Sequence, residues 1–181
     1  MAHIKLPEDA FGISGPMRAY PDTARPLNLL AQTLLTKETP ILSKADREAI
    51  ASYVSFLNEC VFCSESHAAV ADHHYGHKSD CRLTWRDPDS APISETLKAL
   101  LVIARKVTIN AKSVNADDVA KAQKLGATDE DIHDTVLIAA AFCMFNRYVD
   151  GLNTTAPERG DVHYQVVGER LAEHGYINSI N

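Results

Sequence analysis

The sequence predicts an all-α protein, and three observations carry that prediction. Apolar residues recur at three- and four-residue spacing along successive stretches, the period of an amphipathic helix. Several of those stretches are introduced by Ser, Asn or Thr with an acidic residue three places on, and Gly or Pro closes them. No segment shows four or more residues of clean alternation between turn formers, as a half-buried strand would. With 181 residues the chain is expected to form one helical domain, or two similar halves.

Residues 1–26 carry Pro7, Gly12, Gly15, Pro16, Pro21 and Pro26, so an irregular N-terminal arm is expected there. A helix follows over 27–36 on Leu27, Leu30 and Leu34, and Pro40 stops it by pushing the preceding residue out of the helical region. Ser43 caps the next helix with Asp46 three positions on, and Ile50, Val54 and Leu57 form its buried side. Asn58-Glu59 reads as a break. A helix from Cys60 then carries His67, Val70 and Ala71 and frays between His74 and Gly76, giving a first unit over 43–78. Residues 79–92 mix turn formers without periodicity and read as an exposed connection.

Ser94 caps a helix through Leu97, Leu100, Leu101, Ala104 and Val107. Asn115 caps a short one ending at Leu125, with Gly126 just past its end. Thr128-Asp129-Glu130-Asp131 opens a long helix with Ile138, Phe142 and Phe145 on its apolar side, closing at Gly151 and completing a second unit over 94–155. A final amphipathic helix is expected over 158–174, before Gly175. Sliding the chain by about 85 residues lays Ser43–Asp46 over Thr128–Asp131 and Cys60 over Phe145, a weak repeat that suits a bundle of two pseudo-repeated halves.

A net charge of −6 argues against nucleic acid or an anionic membrane as partner, since both need a basic footprint. No apolar run approaches a membrane span, and no secretory signal is visible, so a cytoplasmic protein is expected. Four cysteines in a chain of this size do not make a disulfide scaffold; in a reducing compartment a Cys-x-x-Cys is more often catalytic or metal-binding.

That pair is Cys60-Val61-Phe62-Cys63, with His67 four residues on. In a helix from the first cysteine, Cys60, Cys63 and His67 share one face. The arrangement allows a redox site, a metal site or a chance pairing. An ordinary thiol of pKa ~8.5 is mostly protonated at neutral pH, and two features are expected to lower that value: the first turn of a helix and the proximity of His67. Glu48 lies about 18 Å from Cys60 in one straight helix, but a break at Asn58-Glu59 lets it face the thiols. His73, His74 and His77 suggest a metal alternative, through the His73/His77 and His77/Cys81 spacings. Cys143 reads as a small buried hydrophobe and Cys81 as a bystander in the connection. Arg147 and Asp150 read as a helix-end ion pair, as a pair across an interface or as site residues, and Tyr148 and Trp85 as core or rim packing ahead of pocket walls.

Glu48, the Cys60-x-x-Cys63 pair and His67 at these offsets resemble the active-site pattern of the alkylhydroperoxidase AhpD-like enzymes, in the carboxymuconolactone decarboxylase superfamily. Leu42-Ser43-x-x-Asp46-Arg47-Glu48, Gly126-Ala127-Thr128-Asp129 and Asn146-Arg147-Tyr148-Val149-Asp150-Gly151 are similar too, so the resemblance covers roughly 40–155 and points to the peroxidase-related branch. It implies a thiol-dependent peroxidase in a homo-oligomer, commonly trimeric or hexameric. Cys63 would attack the hydroperoxide, Cys60 would resolve the sulfenic acid as a disulfide, and Glu48 and His67 would relay protons. An external dithiol (a small molecule, a lipoyl group or a redox protein) would reduce the enzyme, with no cofactor and no metal. Phe62 stands where the best-known member of the family has histidine, which bears on substrate preference and thiol activation. Rival readings are a dithiol oxidoreductase or redox sensor acting on a protein, a zinc-binding helical protein, and a lactone decarboxylase, whose superfamily members lack the cysteine pair.

Overall fold

The computed structural model describes residues 1–76 and 80–177, and every regular element among them is helical. In chain order these are α1 (Ser14–Ala19), α2 (Pro21–Leu35), α3 (Lys44–Leu57), α4 (Val61–His74), α5 (Leu83–Arg86), α6 (Glu95–Asn110), α7 (Ala116–Lys124), α8 (Asp129–Gly151) and α9 (Val162–His174), with a 3-10 turn at Ala111–Ser113. The all-α class expected from the periodicity is the class observed. Among the described residues no helix is long and apolar enough to cross a membrane.

The caps read from the sequence form. Ser43 and Asp46 make a reciprocal capping box at α3, Thr128 and Asp131 make another at α8, and Asn115 and Asp118 a third at α7. The two boxes matched by the 85-residue shift open unlike elements, however. α8 runs on to Gly151, whereas α3 stops at Leu57 and the chain turns back.

The N-terminal expectation needs correction. Residues 1–26 are not irregular throughout: they hold α1 and the first turns of α2, which begins at Pro21 rather than 27. Proline fits the first turn of a helix because the backbone N–H there has no intrahelical partner. Pro26, a turn further in, removes only one ladder bond. At the other end, residues 158–161 precede α9, which Asp161 caps through the backbone N–H of His163.

α3 is the central element. From Arg47 to Ser55 every residue is buried, between α4 on one side and α6 and α8 on the other. Its apolar residues Ile50 and Val54 join Leu35, Leu100, Ile103, Ile138 and Phe142 in the main core. Polar groups fix its register. The fully buried Arg47 donates to Leu34 O at 3.0 Å and to Asp134 Oδ2 at 2.8 Å, joining α2, α3 and α8, and Lys37 reaches the same carboxylate at 3.0 Å. α4 lies along α3 and is covered on its outer side by α9. Buried Glu65 ties it to the following segments, accepting from Arg82 Nε at 3.0 Å and Arg159 Nη1 at 3.2 Å.

Candidate functional site

The break between α3 and α4 brings the sequence-predicted residues together. Asn58 caps α3 and Glu59 adopts a left-handed φ of 61°, which costs a non-glycine residue roughly 1–2 kcal/mol. The chain thus reverses within two residues, and the backbone N–H of Cys60 returns to Ser55 O at 3.0 Å. Cys60 is the extended N-cap of α4, Cys63 its third residue, and His67 follows one turn later. Because α4 runs back along α3, the Glu48 carboxylate meets the His67 ring: Oε2 lies 2.7 Å from Nδ1.

Both groups are buried, at 1% and 9% exposure, and a third joins them. The Tyr176 hydroxyl donates to Glu48 Oε1 at 2.6 Å and lies 3.3 Å from His67 Nδ1, its ring stacked on the imidazole at 6.0 Å. Burial, then the charge of Glu48 and the hydrogen bond to it, hold this phenol well above its ordinary pKa, so it stays a donor. A carboxylate that already accepts from Tyr176 accepts from Nδ1–H as well, which leaves Nε2 as the basic nitrogen of the ring. Local chain geometry sets the tyrosine in place. Gly175 has φ +69°, a Cβ there would stand 2.5 Å from Gln32 Oε1, and that same oxygen accepts from Tyr176 N at 2.6 Å.

The sulfurs are also buried, Cys60 at 1% and Cys63 at 3% exposure. The Cys63 thiol is held well above the ordinary thiol value, first by a hydrogen bond shared with Cys60 and then by burial, with the Cys60 and Asp150 charges adding to both. A hydrogen bond with Asn146 works in the opposite direction. The expectation of a lowered value is therefore corrected for Cys63: the start of α4 does not outweigh a dry site and a second thiol alongside. Fully buried Asn146 is itself fixed by Asn58 Nδ2 at 2.9 Å and by its own bond to Ser55 Oγ at 3.0 Å. Burial raises the Asp150 carboxyl above its usual range, against a hydrogen bond with Cys60 that lowers it.

Two cavities meet the relay from different sides. Cys63, Ser66 and His67 line one of about 90 Å³, whose other walls include Met17, Phe62, Phe142, Phe145 and Leu171. Cys60 and Glu48 do not line it, so Cys63 is the thiol presented to a ligand and Glu48 stands behind His67. Glu48 lines a separate cavity of about 260 Å³ with Lys44, Thr36 and His74, and Tyr176 borders both spaces. Phe62 is pinned by the N-terminal segment: Gly12, at φ +53°, packs so closely that a Cβ there would lie 2.0 Å from the phenyl ring.

Other expectations fare differently. Cys81 is buried although much of its stretch is exposed: it is 3% exposed, burial pushes its thiol far up, and its backbone N–H donates to Asp72 at 2.7 Å. The 79–92 connection contains α5, whose Trp85 stacks on Phe56 at 5.0 Å and donates to Ser52 Oγ at 2.9 Å. Arg147 and Asp150 form no ion pair; Arg147 donates to Cys143 O at 2.8 Å, while Asp150 turns to Cys60. Cys143 is half-buried beside the main core. His77 lies outside the described residues, and among those described no group of three His, Cys, Asp or Glu side chains is arranged to hold a metal ion. Tyr176 and Asn146 are the site residues that the sequence reading passes over.

No family model matches the chain, and no curated protein matches it in sequence. Solved structures do match. The alkylhydroperoxidase AhpD core of an uncharacterized peroxidase-related protein from Ralstonia eutropha JMP134 has a TM-score of 0.74 at 25% identity, over 84% of this chain and 78% of that one. An uncharacterized peroxidase-related protein from Silicibacter sp. TM1040 gives 0.70 at 23% identity, over 80% and 73%. A protein of unknown function from Agrobacterium tumefaciens, described as a candidate antioxidant defence protein AhpD, gives 0.65 at 20% identity, over 79% and 96%.

Proposed function

We propose that this chain, which has the AhpD-like fold of peroxidase-related proteins, is a thiol-dependent peroxidase. The observation that carries the reading is the hydrogen-bonded Tyr176–Glu48–His67 set standing behind Cys63, on the wall of a cavity that Cys63 and His67 share. A thiol held neutral by its hydrogen bond with Cys60 and by burial needs a base at the moment of attack, and His67, whose Nδ1 is held by Glu48, offers Nε2 for that role.

In the proposed cycle His67 takes the Cys63 proton as the sulfur attacks the outer oxygen of a hydroperoxide. The O–O bond breaks, Cys63 becomes a sulfenic acid, and the proton leaves on the departing alkoxide as an alcohol. The Cys60 thiol then attacks the Cys63 sulfur. Its proton and the sulfenic hydroxyl depart as water, and a Cys60–Cys63 disulfide remains. A dithiol reduces that disulfide and is itself oxidised to a disulfide. The burial of both sulfurs supports a small oxidant over a folded protein disulfide as the partner, which separates this reading from a protein-directed oxidoreductase.

Cys63→Ser is expected to abolish peroxide consumption with dithiothreitol as reductant. Cys60→Ser is expected to leave a sulfenic acid on Cys63 that dimedone traps, read by mass spectrometry. Full turnover by both variants would sink the mechanism.

A further inference from the structure

The cavity at Cys63 has a polar wall, an apolar body and a cationic exit, and each has a consequence for what enters. Ser66, one turn from Cys63 and 3% exposed, lines this cavity, and its hydroxyl makes no hydrogen bond among the described residues. A buried hydroxyl without a partner is a cost of order 1–3 kcal/mol that a ligand oxygen removes. It sits on the wall that also presents Cys63 and His67, where the oxygens of a bound peroxide would lie.

Beyond this wall the lining is apolar. Phe62, Phe142, Phe145 and Leu171 offer nothing to a polar substrate body. Met17, Arg18 and Asn28 then form a shared boundary with a larger outer cavity of about 670 Å³, where Leu29 and Ile177 are more than half exposed. The two spaces adjoin at these residues, with mostly apolar lining, and form the proposed path from the thiol to the surface.

Three arginines stand along that path in a chain of net charge −6: Arg18 and Arg170 on the inner cavity, Arg18 and Arg25 on the outer one. Arg18 is paired with Asp9 at 3.1 Å. Arg25 and Arg170 form no salt bridge among the described residues, and each lines its cavity with a guanidinium that a ligand anion can pair with.

We propose that the substrates are organic hydroperoxides with a long apolar body and a carboxylate, the class to which fatty-acid hydroperoxides belong. The peroxide end lies against Cys63, Ser66 and His67, and the carboxylate against Arg25 and Arg170. This rests on the peroxidase reading above. The reaction is the one already balanced, hydroperoxide to alcohol with Cys63 taking the transferred oxygen, and it needs no further co-reactant.

The test compares linoleic acid hydroperoxide, its methyl ester and tert-butyl hydroperoxide as substrates of the full chain with dithiothreitol. Linoleate and methyl linoleate are titrated in parallel onto the reduced protein. The acid hydroperoxide is expected to exceed its ester in kcat/KM by about tenfold, with two exposed charge pairs each contributing up to about fivefold. The Arg25→Gln, Arg170→Gln double variant should bring that ratio close to one. Ser66→Ala should lower kcat/KM for the acid and the ester alike, by about fivefold for one lost hydrogen bond. Turnover of tert-butyl hydroperoxide with equal acid and ester rates would overturn the substrate class and leave the peroxidase standing. Preferential binding of linoleate over its ester, with all three peroxides inert, would uphold the anion-selective path and remove the peroxidase. Equal binding of linoleate and its ester would overturn the proposal whatever the kinetics.

Discussion

Replacing Tyr176 with Phe tests the relay at the point where the structure adds most to the sequence. The substitution keeps the ring that stacks on His67 at 6.0 Å and deletes only the hydroxyl, which donates to Glu48 Oε1 at 2.6 Å. A hydrogen bond to a charged acceptor is worth about 1.5–3 kcal/mol, and its loss leaves one carboxylate oxygen buried and short of a donor. At about 2–4 °C per kcal/mol for a domain of this size, Tm should fall by about 3–12 °C. Catalysis should fall too. Without the phenol the Glu48 carboxylate loses one of the two groups that hold it, and with that some of its hold on the orientation of the His67 ring. The rate at neutral pH should drop about tenfold, a fraction of the roughly 10²–10⁴ that a general base supplies. The assay is dithiothreitol-coupled peroxide consumption across pH, with thermal unfolding of the same samples. A lower Tm with unchanged kcat/KM would reduce Tyr176 to packing, and no change in either would refute the geometry.

Two further expectations concern the thiols and the frame. Cys60→Ala removes the hydrogen bond that is the largest cause of the raised Cys63 thiol, so its alkylation by iodoacetamide should shift to lower pH and quicken at pH 7; a slower or unchanged rate would contradict this. Asp134→Asn leaves the fully buried Arg47 guanidinium without its carboxylate, and breaking such a pair costs about 3–5 kcal/mol, measurable by urea unfolding. Burial alone would raise the Asp134 carboxyl, yet hydrogen bonds from His133, Arg47 and Lys37 hold it below the usual range. Its contribution is thus complete above the usual carboxylate value and is lost as pH falls through the folded one, so the variant should show a flatter stability curve in acid. A loss under about 1 kcal/mol would mean that Arg47 finds other support.

What the sequence made legible was local or periodic. The caps at Ser43, Asn115 and Thr128 needed only neighbours three residues away, and they formed. The Asn58-Glu59 break was readable, and with it the return of α4 that sets His67 against Glu48. The prolines of residues 1–26 misled because a helix start accepts what a helix interior rejects, so Pro21 opens α2 instead of preventing it. Cys81 looked exposed in a stretch without periodicity, yet tertiary contacts, which leave no periodic trace, bury it, while Trp85, read as core or rim packing, stacks on Phe56. Tyr176 was hidden for the same reason, since it bonds a residue 128 positions away from an aperiodic segment just past α9. The Cys63 thiol went the other way from its expected shift because its strongest influence is another thiol, not the helix.

That reversal changes what the relay is for. A helix-activated thiolate would be reactive toward any electrophile that reached it, and His67 and Glu48 would add little. A thiol kept neutral at rest, 3% exposed and bonded to its partner sulfur, would under the proposed mechanism react when a base removes its proton in the presence of a bound oxidant. Control then passes from the sulfur to the base. The base is arranged across two spaces: His67 faces the substrate cavity, whereas Glu48 faces the separate cavity bordered by His74 and Lys44. In the proposed mechanism protons would exchange on the Glu48 side, through the second space, while the peroxide occupies the first. The aromatic wall of Phe62, Phe142 and Phe145, which limits the room for water beside Cys63 and His67, would then serve the proposed proton transfer as well as the proposed substrate site.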